Sequence, residues 1–335
     1  MRSLLVLGGS GFVGRAVVLE ALARGWEVTT FTRGRSRSAD HRVRALRGDR
    51  LDPASLEQLR EDRWDLVVDT WSGAPRAVRD SARALHGRAG RYVYISSESV
   101  YAPPPPLGAT ESAVTVAADP DAEAGEYPEL KRGAEIALEQ VFSDRALLAR
   151  AGTILGPYED VGRLTWWLAR MARGGEILCP GPADLEIQYV DARDLAGFVI
   201  DAALAGGSGP FNVVSRRGHA TMGSLLETCR RVAGPGDAVL TWADPATIAA
   251  LGIEPWTELP IWIPPGHEYG GMHDANVERA YGAGLRCRPV EETVLDTWRW
   301  FSALDAPPPV RAGLPTPGLH PDRERAALRV HRTTG

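Results

Sequence analysis

"SLLVLGGSGFVGRAVVLEALARG", residues 3–25, holds a short apolar run, a glycine-rich turn and an apolar stretch at helical spacing that a glycine closes. An apolar run of five residues that leads directly into a turn reads as a parallel strand buried on both faces. The turn "LGGSGFVG" spaces Gly8, Gly11 and Gly14 as G-x-x-G-x-x-G. Glycines so placed permit a tight turn, let a pyrophosphate approach the backbone and leave a helix N-terminus open to anionic oxygens. Ser10, Phe12 and Val13 complete the expected phosphate-binding turn. Two other readings of these residues fail. A nucleophile elbow at Ser10 needs glycine where Phe12 stands, and a P-loop needs a lysine that is absent.

Outward from this unit the alternation continues. Strands are expected at 26–32, 43–49, 65–70 and 91–96, with helices at 12–25, 52–60 and 75–87. Strand and helix alternating in this way predict an α/β, doubly wound Rossmann-type parallel sheet, with the ligand crevice beyond the carboxyl ends of the strands. The end of the second strand decides between dinucleotides. An acidic residue about 20 positions past the glycines would hold the ribose 2′-hydroxyl of NAD, but the chain reads Thr32, Arg33, Gly34, Arg35. A guanidinium grips a 2′-phosphate and a carboxylate repels it, so NADP (NADPH) is favoured over NAD. Asp49 and Arg50, ending the third strand, are expected to meet the adenine.

Composition narrows the function classes. A length of 335 residues, 44% hydrophobic and 24% charged, suits one large domain or two unequal ones. A net charge of −5 argues against a broad nucleic-acid surface. Three widely spaced cysteines (Cys179, Cys229, Cys287) form neither a disulfide framework nor a zinc pattern, which fits a reducing cytoplasm. The apolar run at the start is too short for a signal peptide, and no stretch approaches the roughly 20 residues that span a bilayer. No metal site, membrane or nucleic-acid partner is expected.

Among 38 lysines and arginines, Lys131 is the only lysine. It stands four residues after Tyr127 in a helix predicted over 127–142, so both side chains share a face. Ser96 and Ser97 end the strand at 91–96. A phenol is a poor acid at neutral pH, and a nearby ammonium lowers its pKa by favouring the phenolate. A guanidinium is too broad to stand under a phenol while also bonding ribose hydroxyls.

The glycine motif with Ser97, Tyr127 and Lys131 resembles the short-chain dehydrogenase/reductase superfamily. The length, "SSESVYAP" (96–103) and "QYVDARDLA" (188–196) resemble its extended branch, the NAD-dependent epimerase/dehydratase family, over roughly residues 1–305. The resemblance implies that Tyr127 is the general acid/base, that Lys131 is its pKa partner and a ribose ligand, and that Ser97 donates to the substrate oxygen. Tyr101 reads as structural. "AGTILGP" (151–157) matches the strand whose backbone holds the nicotinamide amide, which assigns Ile154 to the cofactor. Dehydratases of this family read T-D-E before "VY", whereas this chain has Ser97, Glu98, Ser99, so the eliminating base is missing. The fourth strand, often ending H-x-A-A, ends "DTWSGAP" and brings Trp71 near the crevice; Trp71 and Glu98 are assigned to the substrate.

The extended branch carries a smaller, interleaved C-terminal substrate domain. The expected division is a dinucleotide-binding domain at 1–158, with elements near 186–214 returning to it, a substrate domain at 159–305, and a tail at 306–335 with a short helix near 321–331. "EPWTELPIWIPPGHEYGGMHD" (254–274) gathers aromatics among prolines, and Trp262, His267 and Tyr269 are candidates for a wall around a bulky or planar substrate. The expected enzyme is an NADP-dependent carbonyl reductase of a small biosynthetic molecule, acting as a monomer or homodimer. The alternatives are a sugar-nucleotide epimerase with tightly bound NAD and a non-catalytic cofactor-sensing or RNA-associated protein.

Overall fold

β1 (Ser3–Leu7), β2 (Glu27–Thr32), β3 (Val43–Arg47), β4 (Trp64–Asp69) and β5 (Ala89–Ser97) arise where the apolar runs place them. They pair in parallel with β6 (Ala146–Ala151) and an edge strand, Gly209–Val213, in one seven-stranded sheet. Its order is Gly209–Val213, β6, β5, β4, β1, β2, β3. The chain leaves β1 outward in both directions, so the switch in strand order falls between β1 and β4, where doubly wound sheets bind ligands. The computed structural model from which these elements come describes residues 1–34 and 40–334.

One face of the sheet is covered by the helices Arg76–Leu85 and Tyr127–Phe142. Leu5, Leu7, Val67, Tyr92 and Leu148 pack there against Val78, Ala82, Ala134 and Leu138. Each large apolar side chain removed from water contributes about 1.5–3 kcal/mol, so this layer fixes where the strand ends point. The helix Tyr127–Phe142 starts at a capping box: Glu126 accepts from the Glu129 N–H, and the Glu129 carboxylate accepts from the Glu126 N–H. The predicted helix at 52–60 is a short α turn, Pro53–Leu56, followed by a 3₁₀ turn, Glu57–Arg60.

The chain divides into two units. The first is Met1–Gly152, Ala192–Val214 and Ala275–Arg286. The second is Thr153–Asp191, Ser215–Asp274 and the chain from Cys287 onward. The first boundary therefore falls at Gly152, and of the stretch expected to return only Ala192–Val214 does so. The second unit has its own core around Trp167, Tyr189, Leu178, Leu226 and Trp262, beside a parallel pair of strands, Glu176–Pro180 and Val239–Ala243. The expected tail is a folded part of this unit. Its helix Pro321–Thr334 buries Ala327 and Leu328, and Glu324 sets both carboxylate oxygens on Arg170 Nε at 2.7 and 2.6 Å.

Candidate active site

The glycine turn leaves no room for side chains at Gly8, Gly9 and Gly14 and opens on a helix N-terminus. Gly8 has φ +101°, and a Cβ there would lie 2.3 Å from Thr70 Oγ1. A Cβ on Gly14 would lie 2.2 Å from the Gly8 carbonyl oxygen, so any other residue would force the helix away from the turn. Gly9, outside the counted motif, is as confined, 2.5 Å from Thr30 Cγ2. Gly11 caps the helix Phe12–Ala23 on an open side. The side chains of Phe12 and Val13 are buried, so their backbone N–H groups are what they can offer a ligand. With Gly14 they precede the first intrahelical bond, from the Arg15 N–H to the Gly11 carbonyl. Ser10 is exposed beside them, and the first turn contains no acidic residue to offset the positive helix end.

At the end of β2, Thr32 Oγ1 accepts from the Gly34 N–H at 3.3 Å and Arg33 is exposed. The β2–β3 register sets Arg47 opposite Thr32, and a Cβ on Gly34 would lie 3.1 Å from Arg47 Cδ. Arg47 is thus a second cation at this turn, visible once β3 is paired and easily missed in the sequence. Arg35 lies outside the described residues. Asp49 is exposed, its Oδ1 accepting from the Leu51 N–H at 2.9 Å. Arg50 corrects the expectation that its side chain meets adenine. It is 5% exposed and turns inward, with Nη1 and Nη2 on Asp69 at 2.6 and 2.7 Å, Nη2 on the Ala77 carbonyl and Nε on Ser81 Oγ.

Tyr127 opens its helix and is 46% exposed; Lys131, one turn on, is 3% exposed. The Lys131 ammonium donates to the carbonyls of Trp71 and Ile95, both at 2.7 Å. It lies 4.7 Å from the centre of the Tyr94 ring and 5.9 Å from that of Tyr127. Two carbonyls and two ring faces around one point charge suit a compact ammonium and not a planar fork. Ser97 ends β5, and its Oγ accepts from the Ser99 N–H at 3.2 Å and the Ser99 hydroxyl at 2.9 Å. Trp71 is half-buried, its indole N–H on the Ala74 carbonyl and its ring 5.2 Å from the Arg50 guanidinium. Tyr101 is structural: it is buried, stacks on Arg150 and donates to Asn212.

Glu98 is buried, and its Oε1 has no hydrogen-bond partner. Burial, reinforced by the charge of Glu111, pushes its carboxyl up to about 8, so it is mostly protonated at neutral pH.

The remaining candidates belong to the second unit. Ile154 sits in a two-residue strand paired with Val190–Asp191. Trp262 is 1% exposed, with its indole N–H on the Gly181 carbonyl at 3.1 Å. It packs this unit's core and does not form a substrate wall. His267 and Tyr269 are exposed, their rings 5.8 Å apart. His273 is buried between the Gln188 N–H and the Ile261 carbonyl, and burial lowers its pKa. Among the described residues, no group of three or more His, Cys, Asp or Glu is placed to hold a metal, and no helix is long and apolar enough to cross a membrane.

Comparison with known proteins places the chain. The model of the NAD dependent epimerase/dehydratase family matches residues 4–214. Among solved structures, the chain is similar to UDP-glucose 4-epimerase of Thermus thermophilus in complex with NAD, at 20% identity and TM-score 0.64, covering 90% of this chain and 99% of that one. It is also similar to UDP-N-acetylglucosamine 4-epimerase of Methanobrevibacter ruminantium, at 18% identity and TM-score 0.67, covering 90% and 98%. The corresponding enzyme of Bacillus cereus matches at 18% and 0.67, covering 92% and 99%. No curated protein matches the chain in sequence.

Proposed function

The chain belongs to the NAD dependent epimerase/dehydratase family, and we propose that its Ser97, Tyr127 and Lys131 oxidise and re-reduce a secondary alcohol, in the first reading to epimerise a sugar nucleotide. As a family member it is an NAD(P)-dependent enzyme of the extended short-chain dehydrogenase/reductase class. The observation that carries the reading is the buried Lys131 ammonium beneath the half-exposed Tyr127 ring. The ammonium favours the phenolate, so Tyr127 Oη can take the proton of a substrate hydroxyl and later return it. The Ser97 hydroxyl, at the end of β5, would hold that oxygen. Phe12, Val13 and Gly14 would hold the pyrophosphate through backbone N–H groups, and Lys131 would reach the ribose. When bound, the nicotinamide supplies hydride transfer.

Sugar-nucleotide epimerisation leads because the similar structures named above are epimerases of UDP-sugars. Ser99, where dehydratases carry the eliminating glutamate, argues against dehydration. A specific observation favours a second reading, NADP-linked carbonyl reduction: Arg33 and Arg47 flank a β2 end that lacks an acidic residue.

One experiment separates them. The protein is incubated with UDP-glucose, UDP-N-acetylglucosamine and dTDP-glucose, with NAD⁺ or NADP⁺, and followed by proton NMR of the sugar signals and absorbance at 340 nm. New sugar signals without net reduced cofactor support epimerisation. NADPH consumption with a panel of ketones, and no sugar conversion, supports the second reading. The absence of both sugar conversion and NADPH consumption would count against both readings.

A further inference from the structure

We infer that Asp69 is a positioning residue for Lys131, acting through the backbone of Trp71, and that the inward-turned Arg50 is retained to hold Asp69 in place. Asp69 ends β4 and is fully buried. Its Oδ1 accepts from Arg50 Nη1 at 2.6 Å and from the Trp71 N–H at 2.9 Å; its Oδ2 accepts from Arg50 Nη2 at 2.7 Å and from the Tyr92 hydroxyl at 2.7 Å. Trp71 is thereby held at its backbone N–H. Its carbonyl receives the Lys131 ammonium at 2.7 Å and the Tyr94 hydroxyl at 3.0 Å. The Trp71 ring closes the arrangement, packed beside the Arg50 guanidinium and tied to Ala74.

The residue between them joins the same turn to the phosphate site. The Thr70 N–H and hydroxyl both donate to the Leu7 carbonyl, at 3.1 and 3.2 Å, and Thr70 Oγ1 fills the space that a Cβ on Gly8 would need. Asp69, Thr70 and Trp71 therefore reach the buried arginine, the glycine turn and the lysine in turn.

Stability alone is a weak reason to keep such a pair. Replacing a buried ion pair by apolar groups of similar volume is often neutral or stabilising, because desolvation offsets the attraction. A carboxylate is needed if one side chain must accept from two guanidinium nitrogens, a phenol and a peptide N–H at once. A carboxylate buried there without a cation would be strongly disfavoured, which accounts for Arg50.

The inference rests on the reading that Lys131 serves Tyr127, so the test reads the lysine itself. With one lysine in the chain, ¹⁵N-lysine labelling gives a single side-chain ammonium signal. Asp69→Asn alone leaves Arg50 as an unpaired buried charge, so two double variants are used. Arg50→Met with Asp69→Leu removes both charges and the acceptor for the Trp71 N–H; Arg50→Met with Asp69→Asn removes the charges and keeps an acceptor. The first should exchange its Lys131 ammonium protons at least tenfold faster than wild type, and the second should restore slow exchange. A folded Arg50→Met/Asp69→Leu protein with the wild-type signal and exchange rate overturns the proposal. In the wild type, the Trp71 amide should exchange as slowly as those of β4. Exchange as fast as at Ser72 and Gly73 overturns the proposal even if neither variant folds. A held lysine in a protein without redox activity would leave the positioning intact and count against the proposed function.

Discussion

Lys131 holds its ammonium 5.9 Å from the centre of the Tyr127 ring, one helical turn along the same helix, with the ion buried and the phenol half exposed. The ion is thus held out of water by its surroundings while the ring above it meets solvent. The phenol keeps access to a substrate.

Tyr127→Phe removes only the hydroxyl. Turnover of whichever substrate is converted should fall 10²-fold or more, the usual scale for a lost general acid/base, while dinucleotide affinity stays within about twofold. Parallel rate and fluorescence titrations check this. An unchanged rate would remove Tyr127 from the chemistry.

Lys131→Arg conserves charge but must fit a planar group where two carbonyls and two rings surround an ammonium. The variant should lose both turnover and several degrees of melting temperature, since overpacking a buried site costs about 1–3 kcal/mol. Full activity in Lys131→Arg would make the solitary lysine a matter of composition.

Arg33 and Arg47 should together make NADPH bind at least tenfold more tightly than NADH, a difference of about 1.4 kcal/mol. Arg33→Ala and Arg47→Ala should each erode the ratio, and salt should weaken NADPH binding more than NADH binding. Equal affinities in the wild type would sink the NADP preference.

Glu98 sets a pH dependence whose sign follows from its raised folded-state pKa, about 8. The unfolded chain releases the proton near the ordinary glutamate value, while the folded chain keeps it until about pH 8. Stability is therefore fully present below the unfolded pKa and is lost as pH rises toward 8, by up to about 1.4 kcal/mol per pH unit. The melting temperature of Glu98→Gln relative to that of wild type should therefore be higher at pH 8.5 than at pH 5. Parallel melting curves at both pH values would contradict the assignment.

The glycine turn, the alternation through β5 and the Tyr127–Lys131 helix were legible in the sequence because each depends on local spacing. β6 was not. Its run "ALLARA" contains Arg150, a residue that suggests exposure, yet the guanidinium is buried in an ion pair with Glu135, 2.9 Å from Oε2. The same difficulty hid the role of Arg50, whose partner stands 19 residues away and is assigned only by the sheet. Trp262 misled for the opposite reason. Proline-flanked aromatics look alike in sequence whether they line a cavity or fill one, and burial decided for the core. Arg47 became visible as a candidate only through the register of β3 against β2.

The ion pair between Arg170 and Glu324 also bears on how the protein is made. Glu324 satisfies the Arg170 guanidinium and the Leu178 N–H from a position 146 residues after Leu178. At ribosomal speeds of about 5–20 residues per second, the strand Glu176–Pro180 waits about 7–30 s for the carboxylate that completes its surroundings. Removing the carboxylate, as in Glu324→Ala, would leave the Arg170 Nε and the Leu178 N–H without this acceptor in the buried layer of the second unit.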